Sequence, residues 1–158
     1  MEMGLPVSSK WKLWGTEQSG TAAWLLLAMD DQQTLHRIDF NRTSRTFGEV
    51  PAASFASTGD RPEVVSAMWG TKKTDVATVT LFALGISSSA PWLGTATVSL
   101  SDEDTPTVAW RSLPLPAFEG NEVDPRSIWA SDALVAIATS AGVYLASTDA
   151  LLAAEAAD

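Results

Sequence analysis

Three short apolar stretches, each centred on a tryptophan, divide the chain into similar segments. Trp14, Trp69 and Trp129 each follow an aliphatic residue and precede a small one (LWG, MWG and IWA), and each stretch leads into a polar turn and then an apolar run. The tryptophans lie 55 and 60 residues apart (69 − 14 and 129 − 69), which suits a four-stranded antiparallel sheet with its turns. We therefore interpret them as the same position in three successive repeats of an all-β chain.

Alternation of apolar and polar residues predicts the strands inside each repeat. The first repeat, residues 11–53, and the second, residues 64–113, each contain four strand-length segments separated by turns. The third repeat, residues 127–149, contains three such segments. We expect the repeats to form one all-β domain that spans the whole chain.

The segments between and after the repeats differ in composition. Residues 52–63 and 114–125 are rich in Pro, Gly and small side chains, so both are predicted to be linkers. The tail, residues 150–158, is rich in Ala and Leu and predicts a short helix with Thr148 or Asp149 as its N-cap. This helix would stand where the third repeat lacks a fourth strand.

Repeated four-stranded meanders at this spacing resemble the blades of a β-propeller. Residues 127–149 look like the blades of sialidase-type propellers, which carry a Ser-x-Asp-x-Gly-x-x-Trp turn. Ser147 and Asp149 match that turn, whereas Leu151 and Ala154 stand where its Gly and Trp would be. The resemblance covers most of the chain and implies a propeller-like fold, and it transfers no functional residue.

Three blades do not complete a propeller, because these rings typically close with four to eight. An incomplete ring exposes the apolar faces of its end blades and leaves the edge of the third blade open. We expect residues 3–7 or another chain to supply the missing strand, and a partner to supply the rest of the ring. Two copies would give six blades with two-fold symmetry. A β-sandwich or another barrel, with the tryptophans as ordinary core residues, is the alternative fold.

Charge and composition restrict the partners. Ten Lys and Arg against nineteen Asp and Glu give a net charge of −9, which disfavours nucleic acid and anionic membranes. The sequence shows no signal-like segment, no apolar run of about 20 residues and no cysteine. We therefore expect an intracellular protein with neither nucleic acid nor membrane as its partner.

No motif for catalysis or cofactor binding is visible. His36 is the only histidine, and its place in a predicted strand favours a structural role. The acidic groups at residues 30–31, 102–104 and 119–124 lie in predicted turns, where solvated acids are usual, and lack the spacing of a calcium loop. Sialidase chemistry requires arginines around a tyrosine nucleophile, and the sequence places no such set around Tyr144. We predict that the protein is not an enzyme and has no cofactor or metal site.

Seven tryptophans are the unusual feature of the composition. Trp92 lies in a predicted loop, residues 88–93, where a tryptophan has least reason to be buried, so it is a candidate interface anchor or sugar-stacking platform. Trp14, Trp69 and Trp129 are predicted to hold neighbouring blades together. The predicted function is a non-catalytic protein–protein interaction or scaffold subunit, an oligomer whose partial propeller is completed by another copy or by a different protein. The alternative is an oligomeric lectin that binds sugars between blades. The residues around the three tryptophans do not repeat a polar sugar contact, which favours the first.

Overall fold

The computed structural model describes residues 11–17, 23–41, 46–72, 78–100, 107–115, 125–140 and 142–154. Within these residues the chain forms eleven strands and one short helix, so the all-β prediction is confirmed. The elements are β1 Lys12–Glu17, β2 Ala23–Met29, β3 Leu35–Asn41, β4 Thr46–Gly59, β5 Val64–Thr71, β6 Thr78–Ser87, β7 Ala90–Ser99, β8 Thr107–Leu113, β9 Pro125–Ala130, β10 Leu134–Thr139, β11 Gly142–Ser147 and α1 Thr148–Ala153.

The strands form three consecutive groups of antiparallel neighbours. We call β1–β4 unit 1, β5–β8 unit 2, and β9–β11 with α1 unit 3. Units 1 and 2 join through parallel pairing of β4 with β8, which gives one sheet in the order β1-β2-β3-β4-β8-β7-β6-β5. The edge strands β1 and β5 of that sheet lie against each other, so the sheet is nearly closed and barrel-like. Unit 3 is a separate sheet in the order β11-β10-β9.

Unit 2 is the middle layer, and both of its faces are buried. Successive side chains of a strand point to opposite faces. Val79 and Leu81 of β6 point into the barrel-like sheet and belong to a core shared with unit 1. Phe82 and Leu84 point the other way and belong to a core shared with unit 3. Burial on both faces explains why β6 is a nearly continuous apolar run.

The prediction of a linker at residues 52–63 is wrong for most of that range. β4 continues through it to Gly59, and the last four residues of β4 pair with the start of β8. The hydroxyl group of Ser57 can be buried in this strand because it is hydrogen-bonded. It donates to the Gln33 carbonyl and accepts from the Trp110 indole N–H. Gly59 ends the strand with a φ of 78°, and a Cβ there would lie 2.4 Å from the Trp110 carbonyl oxygen.

The prediction that Trp92 lies in a loop, residues 88–93, is also wrong, because residues 90–93 belong to β7. Strands β6 and β7 are joined by a two-residue turn at Ser88 and Ser89, whose φ angles of 51° and 63° are those that a tight hairpin needs. Serine occupies positions where Asn-Gly is the usual signal, so the sequence did not reveal the hairpin. Trp92 is consequently a strand residue of β7 and not a loop residue.

Trp92 is packed inside the protein, with 7% of its surface exposed. Its indole N–H donates to the Ser112 hydroxyl at 3.0 Å, and its ring lies edge-on to Trp110 with the centroids 6.1 Å apart. Gly94 leaves the space for this ring, because a Cβ there would stand 2.2 Å from two of its carbons. The exposed loop position that made Trp92 a candidate anchor is therefore corrected to a buried core position.

Unit 3 begins at Pro125, the first residue of β9, where a missing N–H does not interrupt the ladder. Of the second predicted linker, residues 114–125, only 114, 115 and 125 lie in the described part of the chain. β11 is the edge strand of unit 3, and no fourth strand pairs with it in the part of the chain that is described. Residues 3–7, which we expected to supply that strand, lie outside the described residues.

The predicted C-terminal helix is present as α1, but its cap differs from the prediction. Ser147 is the N-cap, and its hydroxyl accepts the Ala150 N–H at 3.3 Å. Thr148 and Asp149 are the first residues of the helix itself. The buried Thr148 hydroxyl donates to the Ser131 carbonyl at 2.9 Å, which ties the helix to the β9–β10 turn.

The far end of α1 is held by unit 2. Arg111 of β8 donates to the carbonyl oxygens of Leu152 and Ala154, which are among the last acceptors of the helix. Leu151 is buried in the core that units 2 and 3 share. The helix therefore packs back onto unit 2, and it leaves the edge of β11 uncovered by strand pairing.

Candidate functional site

Trp14, Trp69 and Trp129 occupy the same place in the three units. Each lies on the first strand of its unit, directly opposite a residue of the second strand. The pairs are Trp14 with Leu27, Trp69 with Phe82, and Trp129 with Ala136. The next residue along each first strand is small and points to the other face of the sheet. These small residues and their partners are Gly15 with Leu26, Gly70 with Leu81, and Ala130 with Val135. The aliphatic, Trp, small pattern of the sequence thus marks equivalent positions in three dimensions.

The junction between units 1 and 2 is a tryptophan seated on a glycine. A Cβ at Gly70 would lie 2.8 Å from two carbons of the Trp14 indole, well inside the ~3.5–4.0 Å of an ordinary carbon contact. Only glycine leaves room for the ring at this position. Trp14 is 7% exposed and belongs to the core shared by units 1 and 2.

At the junction between units 2 and 3, the tryptophan of unit 2, Trp69, is the equivalent of Trp14. Trp69 packs against the core that contains Ile128 and Ala130, and β5 lies against β9 as β1 lies against β5. Ala130 is 5% exposed. In each unit, therefore, the face with the tryptophan looks toward the following unit, and the face with the small residue looks toward the preceding one.

The series leaves one uncovered member at each end. Trp129 is 45% exposed, because no other unit of the described residues packs against its face. Gly15 is exposed on the outer side of unit 1, against which no other unit of the described residues packs. The gradient from a buried Trp14 to an exposed Trp129 follows from position in the series, since the three residues are otherwise equivalent.

The outer side of unit 1 is exposed along its β1 edge, whereas Ala28, His36 and Ile38 on the same side are buried. The exposed part, which we call the first-unit open face, consists of Leu13, Gly15 and Leu26. These residues share one side of the sheet, with Leu13 62% exposed and Leu26 partly buried. Their pattern is the one with which unit 2 receives Trp14, where the corresponding residues are Met68, Gly70 and Leu81. The opposite partners of the aliphatic residue also agree, since they are Ala28 in unit 1 and Ala83 in unit 2.

The uncovered face of unit 3, which we call the third-unit open face, consists of Trp129, Val143 and Leu145. Val143 is 68% and Leu145 57% exposed, and Leu145 continues the cross-strand row of Trp129 and Ala136. Apolar side chains exposed together on one sheet face are typical of an interface. Sequence reasoning missed Val143 and Leu145 because alternation does not tell which face of an end unit is covered.

The first strands of all three units also line one open cleft of about 360 Å³. The lining residues are 14–16, 69–72 and 129–132, which belong to β1, β5 and β9 with the turns that follow. Lys72 and Asp132 are its charged members. The cleft therefore has one wall from each unit, and unit 3 contributes the exposed Trp129 to it.

His36 stabilises the turn between β2 and β3 through its contact with Asp30. Its Nε2 lies 2.9 Å from one carboxylate oxygen of Asp30, whose other oxygen accepts the N–H groups of Gln32 and Thr34 at 2.9 and 3.0 Å. Trp11 lies edge-on to the His36 ring at 5.5 Å between centroids. Asp30 and His36 are both buried, so the prediction that the acidic residues of this turn are solvated is wrong for Asp30. A buried carboxylate is tolerated here because every bond it makes closes the β2–β3 turn.

Among the described residues, no group of three or more His, Asp or Glu side chains is placed so that it could hold a metal ion. Residues 102–104 and 119–124 lie outside the described residues. Tyr144 packs against the core of units 2 and 3. Arg37 donates to the Leu100 carbonyl, and Arg111 donates to carbonyl oxygens at the end of α1.

Comparison with known proteins assigns no relative. No protein-family model, curated protein sequence or solved structure matches this chain. In the part of the chain that is described, no helix has both the length and the apolar character needed to cross a membrane. Functional inference therefore depends on the geometry of the units, and above all on the two open faces.

Proposed function

We propose that this chain is a non-catalytic protein–protein interaction subunit whose three units are blades of a partial β-propeller, completed by self-association or by another protein. One observation carries the proposal: the residues left uncovered at the two ends repeat those that join the units inside the chain. A unit that ended a finished structure would carry polar residues at these places, as end units of repeat proteins do. Leu13 and Trp129 instead remain apolar and exposed.

The free energy available at these faces is substantial. A tryptophan side chain has about 200 Å² of surface, so the 45% of Trp129 that is exposed amounts to about 90 Å². At about 25 cal/mol per Å², covering it contributes about 2 kcal/mol. Leu13, Val143 and Leu145 add to this, because each is more than half exposed. Large apolar side chains of this kind are characteristic of the centre of protein interfaces.

Mass in solution, measured by light scattering over a range of protein concentrations, tests the proposal together with binding of the dye ANS, which reports exposed apolar surface. We expect either an assembly larger than the 16.7 kDa chain that binds little dye, or a monomer that binds dye. A stable monomer that binds no dye would contradict the proposal, because its end faces would then need no partner.

A lectin is the second candidate, and the three-walled cleft favours it. Trp129 presents an exposed aromatic surface in this cleft beside Asp132, which combines a stacking platform with a hydrogen-bond acceptor for sugar hydroxyls. A glycan array on the purified assembly tests this function. Binding that is lost in Asp132→Ala, with the mass in solution unchanged, would favour the lectin over the interaction subunit.

A further inference from the structure

We infer that the occupant of the open faces is a second copy of this chain, joined head to tail, with Trp129 of each copy seated on Leu13 and Gly15 of the other. This inference rests on the proposed function and names its partner. Both halves of the required contact are already present in the internal junctions of the chain.

The first step is that the chain carries a complete matched pair. The third-unit open face has Trp129, the equivalent of the Trp14 that is seated on Gly70 in the junction of units 1 and 2, and the first-unit open face has Gly15, the equivalent of that glycine. A different protein would have to provide both surfaces independently. A second copy provides both, because each chain has one of each.

The second step is the fit of the receiving surface. In unit 2, Trp14 is seated on Gly70, and Met68 and Leu81 lie on the same side of the sheet in the core that contains Trp14. The first-unit open face offers Leu13, Gly15 and Leu26 in the same register. Gly15 is the only one of the three equivalent small residues that is exposed, and it lacks the side chain that would obstruct an indole ring.

The third step is closure. A contact between two different surfaces gives a ring if the rotation closes and an open fibre if it does not. The described residues of each chain form three units, and a junction that continues the same step brings two chains to six, within the four to eight blades of known propellers. Two identical junctions then use all four open faces. The walls of the cleft formed by β1, β5 and β9 would become half of the lining of a central channel.

Charge variants and their mixture test the head-to-tail arrangement. We expect wild-type protein at about twice 16.7 kDa, and both Leu13→Glu and Trp129→Glu at the mass of one chain. Each variant keeps one intact surface, so an equimolar mixture should form a two-chain species through one intact junction, with weaker affinity than the wild type. Ile86→Glu is the matched control, because Ile86 is exposed in unit 2 away from both open faces, and it should remain a dimer.

The outcomes separate this inference from the proposed function. Circular dichroism and thermal unfolding establish that each variant is folded. A wild-type dimer whose two variants do not combine on mixing would overturn the head-to-tail inference, since a face that pairs with itself is not restored by mixing, and would leave the interaction role standing. A wild-type monomer that binds ANS would also overturn self-association, and would leave completion by a different protein. A wild-type monomer that binds no ANS would contradict both.

Discussion

Replacing Gly70 with alanine places a methyl group where the Trp14 indole lies. The new Cβ would stand 2.8 Å from two ring carbons and 2.9 Å from a third, so the ring must withdraw by about 0.7 Å to reach the ~3.5 Å of a normal contact. Trp14 sits in a close-packed core, where such overpacking typically costs about 1–3 kcal/mol. Alanine also lowers the entropy of the unfolded chain by an amount worth about 0.4–1 kcal/mol. We expect Gly70→Ala to lower the free energy of unfolding by about 1–2 kcal/mol.

Urea unfolding followed by far-UV circular dichroism measures this change without depending on tryptophan emission. The midpoint should fall while the slope m stays constant, because the surface exposed on unfolding is the same. A double-mutant cycle with Trp14→Leu assigns the cause. With the indole removed, the methyl group has room, so Gly70→Ala should cost little in that background and the coupling energy should be about 1–2 kcal/mol.

Gly15→Ala is the matched control at the equivalent position of unit 1. Its Cβ would lie 3.0 Å from the Leu25 carbonyl oxygen and 3.3 Å from a Leu26 methyl carbon, and none of its three nearest atoms belongs to a tryptophan. We expect a cost below about 1 kcal/mol when the protein is diluted below the concentration at which chains associate. The reasoning is refuted if Gly70→Ala unfolds like the wild type, or if its cost is the same with and without Trp14.

Two further predictions concern the turn of unit 1 and the anchor of α1. Asp30→Ala removes the acceptor of two turn N–H groups and the partner of His36, so it should destabilise the fold by about 1–3 kcal/mol in thermal unfolding. Asp31 is the exposed neighbour, and Asp31→Ala should change the stability by no more than about 0.5 kcal/mol. Equal effects of the two substitutions would contradict the role given to Asp30. Arg111→Ala removes the donor that binds the Leu152 and Ala154 carbonyls, so hydrogen exchange of the backbone amides in α1 should accelerate while the amides of β9 and β10 keep their protection. Unchanged exchange in α1 would show that the helix does not depend on this arginine.

The sequence predicted local structure well where alternation was strong. β2, β6 and β10 are apolar runs between polar turns, and runs of this kind are the strand-length segments that the sequence predicts within the three repeats. The hairpin before Trp92 was missed because two serines adopt positive φ without the usual Asn-Gly. The end of β4 was missed because its small hydroxyl residues resemble a linker. Their place in the sheet depends on a parallel pairing with β8, some fifty residues away in sequence, as the register of Ala56 with Thr107 shows.

The candidate site was predicted only in part, again because local patterns in the sequence do not contain long-range packing. The spacing of Trp14, Trp69 and Trp129 found the three equivalent strand positions. Their exposures differ because burial depends on whether another unit follows, and no single repeat contains that information. The sequence also favoured Trp92, whose burial is a long-range property set by Ser112 and Trp110 of β8. Leu13 and Leu145 could be identified as exposed apolar residues only from the structure, which shows which face of each end unit is covered.

Cross-linking between two introduced cysteines tests head-to-tail completion most directly. The chain contains no cysteine of its own, so Leu13→Cys and Leu145→Cys each place one thiol on one open face. The account predicts that a short bismaleimide links the two variants into covalent dimers when they are mixed, and links neither variant to itself. Efficient linking of Leu13→Cys to itself, or no linking in the mixture when the wild type is dimeric, would contradict the account.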